Sequence, residues 1–296
     1  MISAVIEKPI NLLQQEDTSP IIPFNNIKDI KYFERYLRRE NLSDSTIAAY
    51  TYSVKLFYSL HHTISKNSLL AYKTYLIEKY SPASVNLRIL GINKYLKFLR
   101  KSSLALKCVK VQQKCFLDNV ISKEDYKTLL RYLKNHNRMT LYYIVKYMTC
   151  TGARVSEVIK FKVEHVKKGY MDIYSKGGKF RRIYIPRKLQ NDSTRWLSSE
   201  SIDEGYIFLN KNSIQFSTRG IAKELKECAR NCKSIPLETV YPHSFRHRFA
   251  INFLEKNNDT ALLMDIMGHS NISATLIYLR RTSREQYEII SKIVDW

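Results

Sequence analysis

The sequence lacks the cysteine pattern of a disulfide-bonded or zinc-binding protein. Its 296 residues include five cysteines, an odd number with no C-x-x-C pair and no zinc spacing to a histidine. We therefore expect reduced thiols, most of them in the core. The first residues, MISAVIEKPI, have no long apolar run and do not resemble a secretory signal, so we expect a cytoplasmic protein.

Long apolar runs and acidic residues are also scarce. No segment approaches the roughly 18 apolar residues that a membrane span needs. Lys and Arg number 49 against 27 Asp and Glu, which gives a formal charge of +22. Hydrophobic residues make up 44% of the chain, enough for two folded domains. A membrane-spanning or disordered protein is excluded, and an acidic partner is expected.

The positive charge belongs to both halves of the chain. Residues 27–105 carry a net charge of +9, residues 106–117 carry +3 and residues 118–296 carry +12, whereas residues 1–26 carry −2. Two basic domains on a basic linker can grip a polyanion from two sides. An anionic membrane fits less well, because the charge is not gathered on one amphipathic helix.

Apolar spacing predicts a mainly α fold with a small antiparallel β-sheet. Four helices are predicted in the first half, at 27–37, 47–60, 69–77 and 85–99. Ser43 or Ser45 is a candidate N-cap for the second helix, and Pro82 lies near the start of the fourth. We expect residues 1–26 to form an N-terminal arm, 27–105 a helical domain, 106–117 a basic linker and 118–296 a second domain that mixes helices with a hairpin.

The second half mixes helices with one hairpin. Residues 171–175 and 183–185 alternate around the turn residues Gly177 and Gly178, and Pro186 ends the pairing. Asp259 and Gly268 are the predicted cap and stop of the last of these helices. Helices are predicted at 123–134, 140–149, 155–161, 220–232, 244–255 and 260–267.

Four short motifs carry the candidate chemistry. They are T-G-A-R-V-S-E at 151–157, S-K-G-G-K at 175–179, H-S-F-R-H at 243–247, and G-H-S at 268–270 followed by Tyr278. Each motif alone is unspecific: Arg154 and Glu157 could form a surface ion pair, and Lys176 could be a solvated hairpin lysine. Their order and context are what favour a common site.

Together these residue types suit the transfer of a phosphodiester to a tyrosine. Two arginines, Arg154 and Arg246, can donate to the phosphate oxygens and offset the charge that builds on phosphorus. A tyrosine hydroxyl attacks, a lysine on a turn protonates the departing 5′-oxygen, and a histidine assists proton movement. The chemistry needs no metal, ATP or other cofactor, which agrees with the lack of a carboxylate cluster.

The ordered set resembles the active site of the tyrosine recombinases, also called the phage integrase family, and most closely its compact, Xer-like members. The resemblance covers about residues 27–296 and is strongest after residue 145. It implies a two-domain clamp on duplex DNA, with a four-helix core-binding domain and an α+β catalytic domain. Residues 1–26 are too short and too little basic for the arm-binding domain of larger integrases. The implied catalytic residues are Arg154, Lys176, His243, Arg246, His269 and Tyr278.

The resemblance also assigns roles. Tyr278 would form a 3′-phosphotyrosine, Lys176 would be the general acid and Glu157 would orient Arg154. Lys179 is a rival for the role of Lys176, and Tyr287 is a rival nucleophile. By family position, Ser45, Thr46, Arg88 and Lys94, together with Lys179, would contact DNA, and phosphate contact without base readout is their simpler interpretation.

The implied enzyme is a site-specific recombinase that binds inverted half-sites as a dimer and pairs two sites in a tetramer. Residues 286–296 carry an apolar stripe with Tyr287, Ile290 and Val294, which we expect to dock on a neighbouring protomer or on its own domain. Two alternatives are a type IB topoisomerase and a DNA-binding regulator without catalysis. The DNA sequence and the biological task are not predicted.

Overall fold

The computed structural model describes residues 22–23, 26–111, 119–174, 180–210, 212–268, 287 and 290–294. The chain divides into two compact units, residues 1–113 and 114–296. The described residues are mainly helical and contain two small antiparallel sheets of two strands each. The sequence predicted one of these sheets.

The first unit contains the sheet that was not predicted. Strand β1 (Ile22–Pro23) pairs with β2 (Thr63–Ile64), with Ile22 opposite Ile64. The end of the expected N-terminal arm is therefore hydrogen-bonded to the helical unit. With only two residues in each strand, no alternation was available to reveal them.

Four helices of the first unit are described: α1 (Asn26–Arg39), α2 (Asp44–Leu60), α3 (Lys66–Lys79) and α4 (Pro82–Phe98). Ser43 is the cap of α2, since its side chain accepts from the backbone N–H of Thr46 at 3.3 Å. Pro82 is the first residue of α4, where its missing N–H costs nothing.

The core of the first unit is built where these helices cross. Gly91 on α4 lets α2 approach closely, because a Cβ at this position would lie 2.7 Å from the Cβ of Ser53. The hydroxyl of Tyr72 donates to the carbonyl of Ser53 at 3.1 Å, which satisfies a buried polar group. The fully buried apolar side chains include Phe33, Leu37, Val54, Phe57, Leu76, Ile89 and Leu96.

The beginning of the predicted linker is tied to α4. The side-chain amide of Asn93 exchanges two hydrogen bonds with the backbone of Leu106, both at 2.8 Å. Asn86, two helical turns earlier, pairs in the same way with Val109 at 3.0 and 2.8 Å. We call residues 106–109 the strap. The strap belongs to the first unit, and residues 112–117 of the linker expected at 106–117 lie outside the described residues.

The second unit follows the predicted order of helices and hairpin. Its described elements are α5 (Lys123–Asn135), α6 (Met139–Thr151), α7 (Val155–Val158), α8 (Val163–Lys168), β3 (Tyr170–Tyr174), β4 (Phe180–Tyr184), α9 (Arg187–Ser199), α10 (Thr218–Asn231), α11 (Pro242–Lys256) and α12 (Thr260–Met267). Asp259 caps α12 by accepting from Leu262 N at 2.9 Å, and Gly268 ends it.

Two helices of this unit were not predicted, and one is shorter than expected. Helix α8 has only six residues, and the buried face of α9 includes Ser193 beside Leu189 and Leu197, which obscures the apolar period. Helix α7 ends at Val158 and not near residue 161. Turns and polar core positions of this kind weaken the periodic signal.

The hairpin has two unlike faces. Met171 pairs with Ile183, and both side chains are buried. On the other face, Asp172 lies opposite Arg182 and accepts from it at 2.7 and 3.0 Å. The predicted turn at Gly177 and Gly178 lies outside the described residues.

The core of the second unit is larger and centres on α6. Of the four described cysteines, all free thiols, Cys228 is buried and Cys108 is exposed, so Cys108 departs from the expected core position. In the described ranges, no helix combines the length and apolar character that crossing a bilayer requires. The buried apolar side chains include Ile144, Tyr147, Met148, Phe161, Phe208, Leu225 and Phe245.

Candidate active site

Four of the predicted site residues lie together in the second unit. Arg154 precedes α7 and Glu157 lies within it, while His243 and Arg246 lie on α11. His243 lies three residues before Arg246 on α11, and Arg246 donates to the carbonyl of Gly152, two residues before Arg154. Lys176, Lys179, His269 and Tyr278 lie outside the described residues.

The turn that presents Arg154 depends on a glycine. Helix α6 ends at Gly152, which adopts a left-handed conformation with φ of 66°. A Cβ there would lie 2.5 Å from the ring of Phe249 on α11, so the position has no space for a side chain. The backbone N–H of Ala153 donates to the hydroxyl of Thr151 at 3.2 Å, which closes the turn.

Glu157 holds Arg154 at two points. Its carboxylate accepts from the backbone N–H of Arg154 at 2.6 Å and from the guanidinium Nη1 at 3.1 Å. The side chain of Glu157 is 12% exposed and that of Arg154 is 41% exposed. The pair therefore leaves part of the Arg154 guanidinium open to solvent, where an anion can reach it.

Sequence reasoning missed a third charged residue, Arg181 on β4. Its Nη2 donates to Glu157, and its Nη1 donates to the carbonyl of Ile266 near the end of α12 at 2.6 Å. Burial lowers the pKa of Arg181, and the charge of Glu157 opposes that shift, so the guanidinium stays ionised. A signal was present, because Arg181 shares the inward parity of Ile183 and Ile185.

Arg246 is the most deeply buried of these arginines, with 1% exposure. It donates to the carbonyl of Gly152 and, at 2.7 Å, to the carbonyl of Met267. Met267 and Ile266 are the last residues of α12, whose carbonyls have no partner within the helix. Two arginines from different elements therefore satisfy two successive carbonyls at this helix end, where positive charge is favourable.

These contacts form a closed set that we call the arginine network. Glu157 binds both Arg154 and Arg181, and Arg181 also binds the end of α12. Arg246 joins that same helix end to Gly152, which lies two residues before Arg154. The network links three parts of the chain: the turn between α6 and α7, strand β4, and helices α11 and α12. It concentrates positive charge in a partly enclosed region, which suits binding of a phosphate.

His243 lies beside the network at the start of α11. It is exposed on one side, yet surrounding protein displaces enough water to lower its pKa, and Arg246 and Arg154 lower it further. Its ring meets that of His247 edge to face, with centroids 4.7 Å apart. The imidazole is therefore neutral at pH 7 and able to accept a proton.

A cavity of about 540 Å³ opens onto the network. Its charged lining includes Arg154, Glu157 and Arg181, and its apolar lining includes Ile173 and Leu262. Within the described parts of the chain, no three His, Cys, Asp or Glu side chains are grouped to hold a metal ion. The cavity lining thus includes the part of Arg154 that is open to solvent.

The candidate DNA contacts of the first unit have partners within the protein. Lys94 forms an ion pair with Glu40 at 2.7 Å, and the Arg88 guanidinium stacks over the ring of Tyr52 at 4.5 Å. Ser45 and Thr46 lie at the capped start of α2, where each hydroxyl is within 3.0 Å of the hydroxyl of Ser43. Of the two charged residues among these, Lys94 has its charge compensated more directly, because its partner is a carboxylate.

Comparison with known proteins identifies the class. The sequence profile described as the phage integrase family matches residues 119–285, more than half of the chain. The chain therefore belongs to the phage integrase family, the tyrosine-type site-specific recombinases.

Its curated relatives include Xer recombinases. Tyrosine recombinase XerA of Pyrococcus furiosus is 30% identical over 273 residues, which cover 89% of this chain and 93% of that protein. Tyrosine recombinase XerD of Oceanobacillus iheyensis is 26% identical and covers 86% of this chain and 93% of its own length. The fold is similar to that of lambda integrase, with a TM-score of 0.68 at 14% identity over 85% of this chain and 76% of that one.

Proposed function

We propose that the chain cleaves and rejoins duplex DNA at specific sites by forming a 3′-phosphotyrosine at Tyr278, without metal or ATP. The observation that carries this proposal is the arginine network, which presents a partly exposed Arg154 and fixes the end of α12 just before His269. Tyr278 follows nine residues after His269. The helix end that Arg181 and Arg246 hold is thus followed within eleven residues by the candidate nucleophile.

The roles follow from the chemistry of each group. Arg154 donates to the non-bridging oxygens of the scissile phosphate, and Arg246 adds positive charge from its buried position. His243, neutral at pH 7, accepts a hydrogen bond or a proton, and His269 completes the pocket. Lys176 is the general acid, with Lys179 as the neighbouring contact to DNA.

The reaction balances without a further reactant. The hydroxyl oxygen of Tyr278 bonds to phosphorus and loses its proton to a neighbouring base such as His243. The bond from phosphorus to the 5′-oxygen breaks, and Lys176 gives that oxygen a proton. The 3′-phosphotyrosine keeps the energy of the ester, so attack by a 5′-hydroxyl of another strand rejoins the DNA and releases the tyrosine.

The partner is duplex DNA with inverted half-sites, bound by a dimer, with two sites paired in a tetramer. The net charge of +22 supports a polyanionic partner. Among proteins of similar fold, the lambda integrase structure is a tetramer bound to a Holliday junction, and that of XerH recombinase is bound to its difH substrate. Ser45, Thr46 and Arg88 are the proposed contacts of the first unit, with Lys94 available once its ion pair opens.

The C-terminal residues are proposed to join protomers. Among the described residues of this segment, Tyr287, Ile290, Ile293 and Val294 are 72%, 58%, 63% and 44% exposed. Exposed apolar side chains on one short segment favour docking on a second copy. Deleting 286–296 should spare binding to one half-site but impair pairing of two sites, and unchanged pairing would contradict this role.

The function is tested with a nicked duplex that traps the covalent intermediate. The target site is first recovered by selecting bound duplexes from a random-sequence pool. The wild-type protein should then form a covalent adduct, which Tyr278→Phe should abolish and Tyr287→Phe should leave intact. Strand exchange that requires two sites separates a recombinase from a topoisomerase, and binding without any adduct would favour the regulator.

A further inference from the structure

The side chain of Arg181 joins two parts of the site that are far apart in the sequence. Arg181 lies on β4 opposite Ile173, on the inward face of the hairpin, and its side chain is 11% exposed. Both terminal nitrogens donate within the protein, one to Glu157 and one to the carbonyl of Ile266. A charged residue enclosed in this way has a structural or functional partner on each side.

On one side, Arg181 controls the group that orients Arg154. Glu157 accepts three hydrogen bonds: one from Arg181, one from the Arg154 backbone at 2.6 Å and one from the Arg154 guanidinium at 3.1 Å. Without Arg181, the Glu157 carboxylate would lose a charged donor and would be held only by its two bonds from Arg154 itself. The orientation of the exposed Arg154 guanidinium depends on that carboxylate.

On the other side, Arg181 fixes the end of α12. It supplies a donor to the Ile266 carbonyl, and its methylene chain covers the next turn, since a Cβ on Gly268 would lie 2.4 Å from the Cδ of Arg181. Arg246 holds the adjacent carbonyl, that of Met267. The chain that leaves Gly268 toward His269 therefore starts from a position that Arg181 helps to define.

We propose that Arg181 is a positioning residue for strand cleavage, because one guanidinium sets both Arg154, through Glu157, and the chain that leads to His269 and Tyr278. The inference rests on the proposed function. Arg181 keeps the phosphate-binding arginine and the nucleophile-bearing segment at a fixed separation. Because its terminal nitrogens bind the protein, its loss should slow cleavage and not weaken DNA binding.

The next residue provides a matched control. Arg182 has the same side chain on the same strand and also borders the cavity, but its guanidinium pairs with Asp172 and stacks over the ring of Tyr170 at 3.8 Å instead of binding Glu157 or α12. Its side chain is 36% exposed. Removing Arg182 changes the charge and composition of the strand as much as removing Arg181 does, without touching Glu157 or α12.

The experiment compares Arg181→Met, Arg181→Lys and Arg182→Met with the wild type on the nicked trapping duplex at saturating protein. We expect Arg181→Met to slow adduct formation about 100-fold, with the Kd for intact duplex changed by less than about threefold. Arg181→Lys keeps the charge but replaces the planar fork of arginine with one ammonium group, which cannot bind both acceptors. Its rate should therefore lie between those of Arg181→Met and the wild type. Arg182→Met should stay within about twofold of the wild type.

A double variant shows whether Arg181 acts through Glu157. Arg181→Met combined with Glu157→Gln should be no slower than the slower single variant, because both disturb the same control of Arg154. Rates that fall multiplicatively would contradict the inference. A loss of DNA affinity that parallels the loss of rate, in a variant whose thermal unfolding matches that of the wild type, would also overturn it.

The outcomes separate this inference from the proposed function. A wild-type protein that forms no Tyr278-dependent adduct overturns both. A normal wild-type adduct that Arg181→Met forms at the same rate overturns only the role of Arg181. If Arg181→Met fails to fold, Arg181→Lys decides: a wild-type rate contradicts the inference, and a lowered rate at unchanged Kd supports it.

Discussion

At the scale of single residues, His243 has the clearest link between environment and protonation. Displaced water comes first among the causes that lower its pKa, followed by the charges of Arg246 and Arg154. A histidine whose pKa is lower in the folded chain binds a proton less readily there than when unfolded. Its contribution therefore destabilises the fold as pH drops below about 6.5, the ordinary histidine value, and has no effect well above it.

We predict that His243 titrates below pH 6.5 in the wild-type protein. Arg154→Gln removes a positive charge and should raise the titration midpoint, whereas Arg182→Gln, which removes a charge paired with Asp172, should leave it unchanged. The measurement is an NMR titration of the histidine ring signals, with His243→Gln used for assignment. A midpoint at or above 6.5 in the wild type would contradict the described environment.

Gly152 and Gly205 have similar backbone conformations but different surroundings, so together they separate the conformational cost of a side chain from its packing cost. Gly152 and Gly205 both have left-handed conformations, with φ of 66° and 76°. A Cβ on Gly152 meets Phe249 at 2.5 Å, and one on Gly205 meets nothing within 4 Å. Gly205→Ala should cost about 1 kcal/mol for the backbone alone. Gly152→Ala should cost about 3 kcal/mol, because overpacking adds to the same conformational cost.

Urea unfolding measures this difference. The free energy of unfolding should fall more for Gly152→Ala than for Gly205→Ala, at similar slopes against urea. Equal losses would mean that Phe249 moves aside without cost and that the turn before Arg154 is not held by packing.

At the scale of elements, the strap sets where the first unit ends. Asn86 and Asn93 bind its backbone through four hydrogen bonds, and the amine of Lys73 donates to the carbonyl of Lys107 at 2.8 Å. Leu106 is 8% exposed, so one apolar side chain anchors the strap as well. The amide spacing of seven residues places both asparagines on one face of α4.

Replacing both asparagines should release the strap. In Asn86→Ala/Asn93→Ala the strap loses all four bonds, and trypsin should cut after Lys107 and Lys110 at least about ten times faster. Asn67 is exposed on α3, and Asn67→Ala is the control, which trypsin should cut at the wild-type rate. Resistance of the double variant would show that Leu106 alone retains the strap.

The elements also show what the sequence could and could not predict. The helices with regular apolar spacing, α1 to α6 and α10 to α12, were anticipated within a few residues, and Asp259 and Gly268 bound α12 as expected. Helix α9 was missed because Ser193 replaces an apolar residue on its buried face. Arg181 was missed because its role depends on carbonyls of α12, which no side-chain pattern encodes. The positions of Lys176, His269 and Tyr278 remain predictions.

At the scale of the whole molecule, the net charge of +22 implies that binding to DNA depends on the salt concentration. Each phosphate that Lys or Arg neutralises releases condensed counterions, so the affinity for DNA falls as salt concentration rises. Both units are basic, and the arginine network uses only three of the 49 positive residues. Most of the positive residues are therefore available for phosphate contacts that do not depend on the DNA sequence.

We predict a steep salt dependence for duplex binding by the full chain. Between 50 and 200 mM NaCl the affinity should fall by about 1,000-fold or more, as expected for at least six phosphate contacts. Arg182→Met, in which the lost charge is already paired with Asp172, should leave the slope nearly unchanged. Fluorescence anisotropy at several salt concentrations measures it, and a loss of less than about tenfold would contradict contact with six or more phosphates.

The central claim is that Tyr278 becomes covalently linked to DNA, and peptide mapping tests it most directly. The adduct formed on the nicked duplex is digested with nuclease and trypsin, and the nucleotide-bearing peptide is identified by mass spectrometry. Trypsin releases residues 257–280 as one peptide in which Tyr278 is the sole tyrosine, and Tyr287 falls in a different peptide, 285–292. We predict that the nucleotide mass lies on residues 257–280. Its presence on residues 285–292, or on any other peptide, would contradict the account.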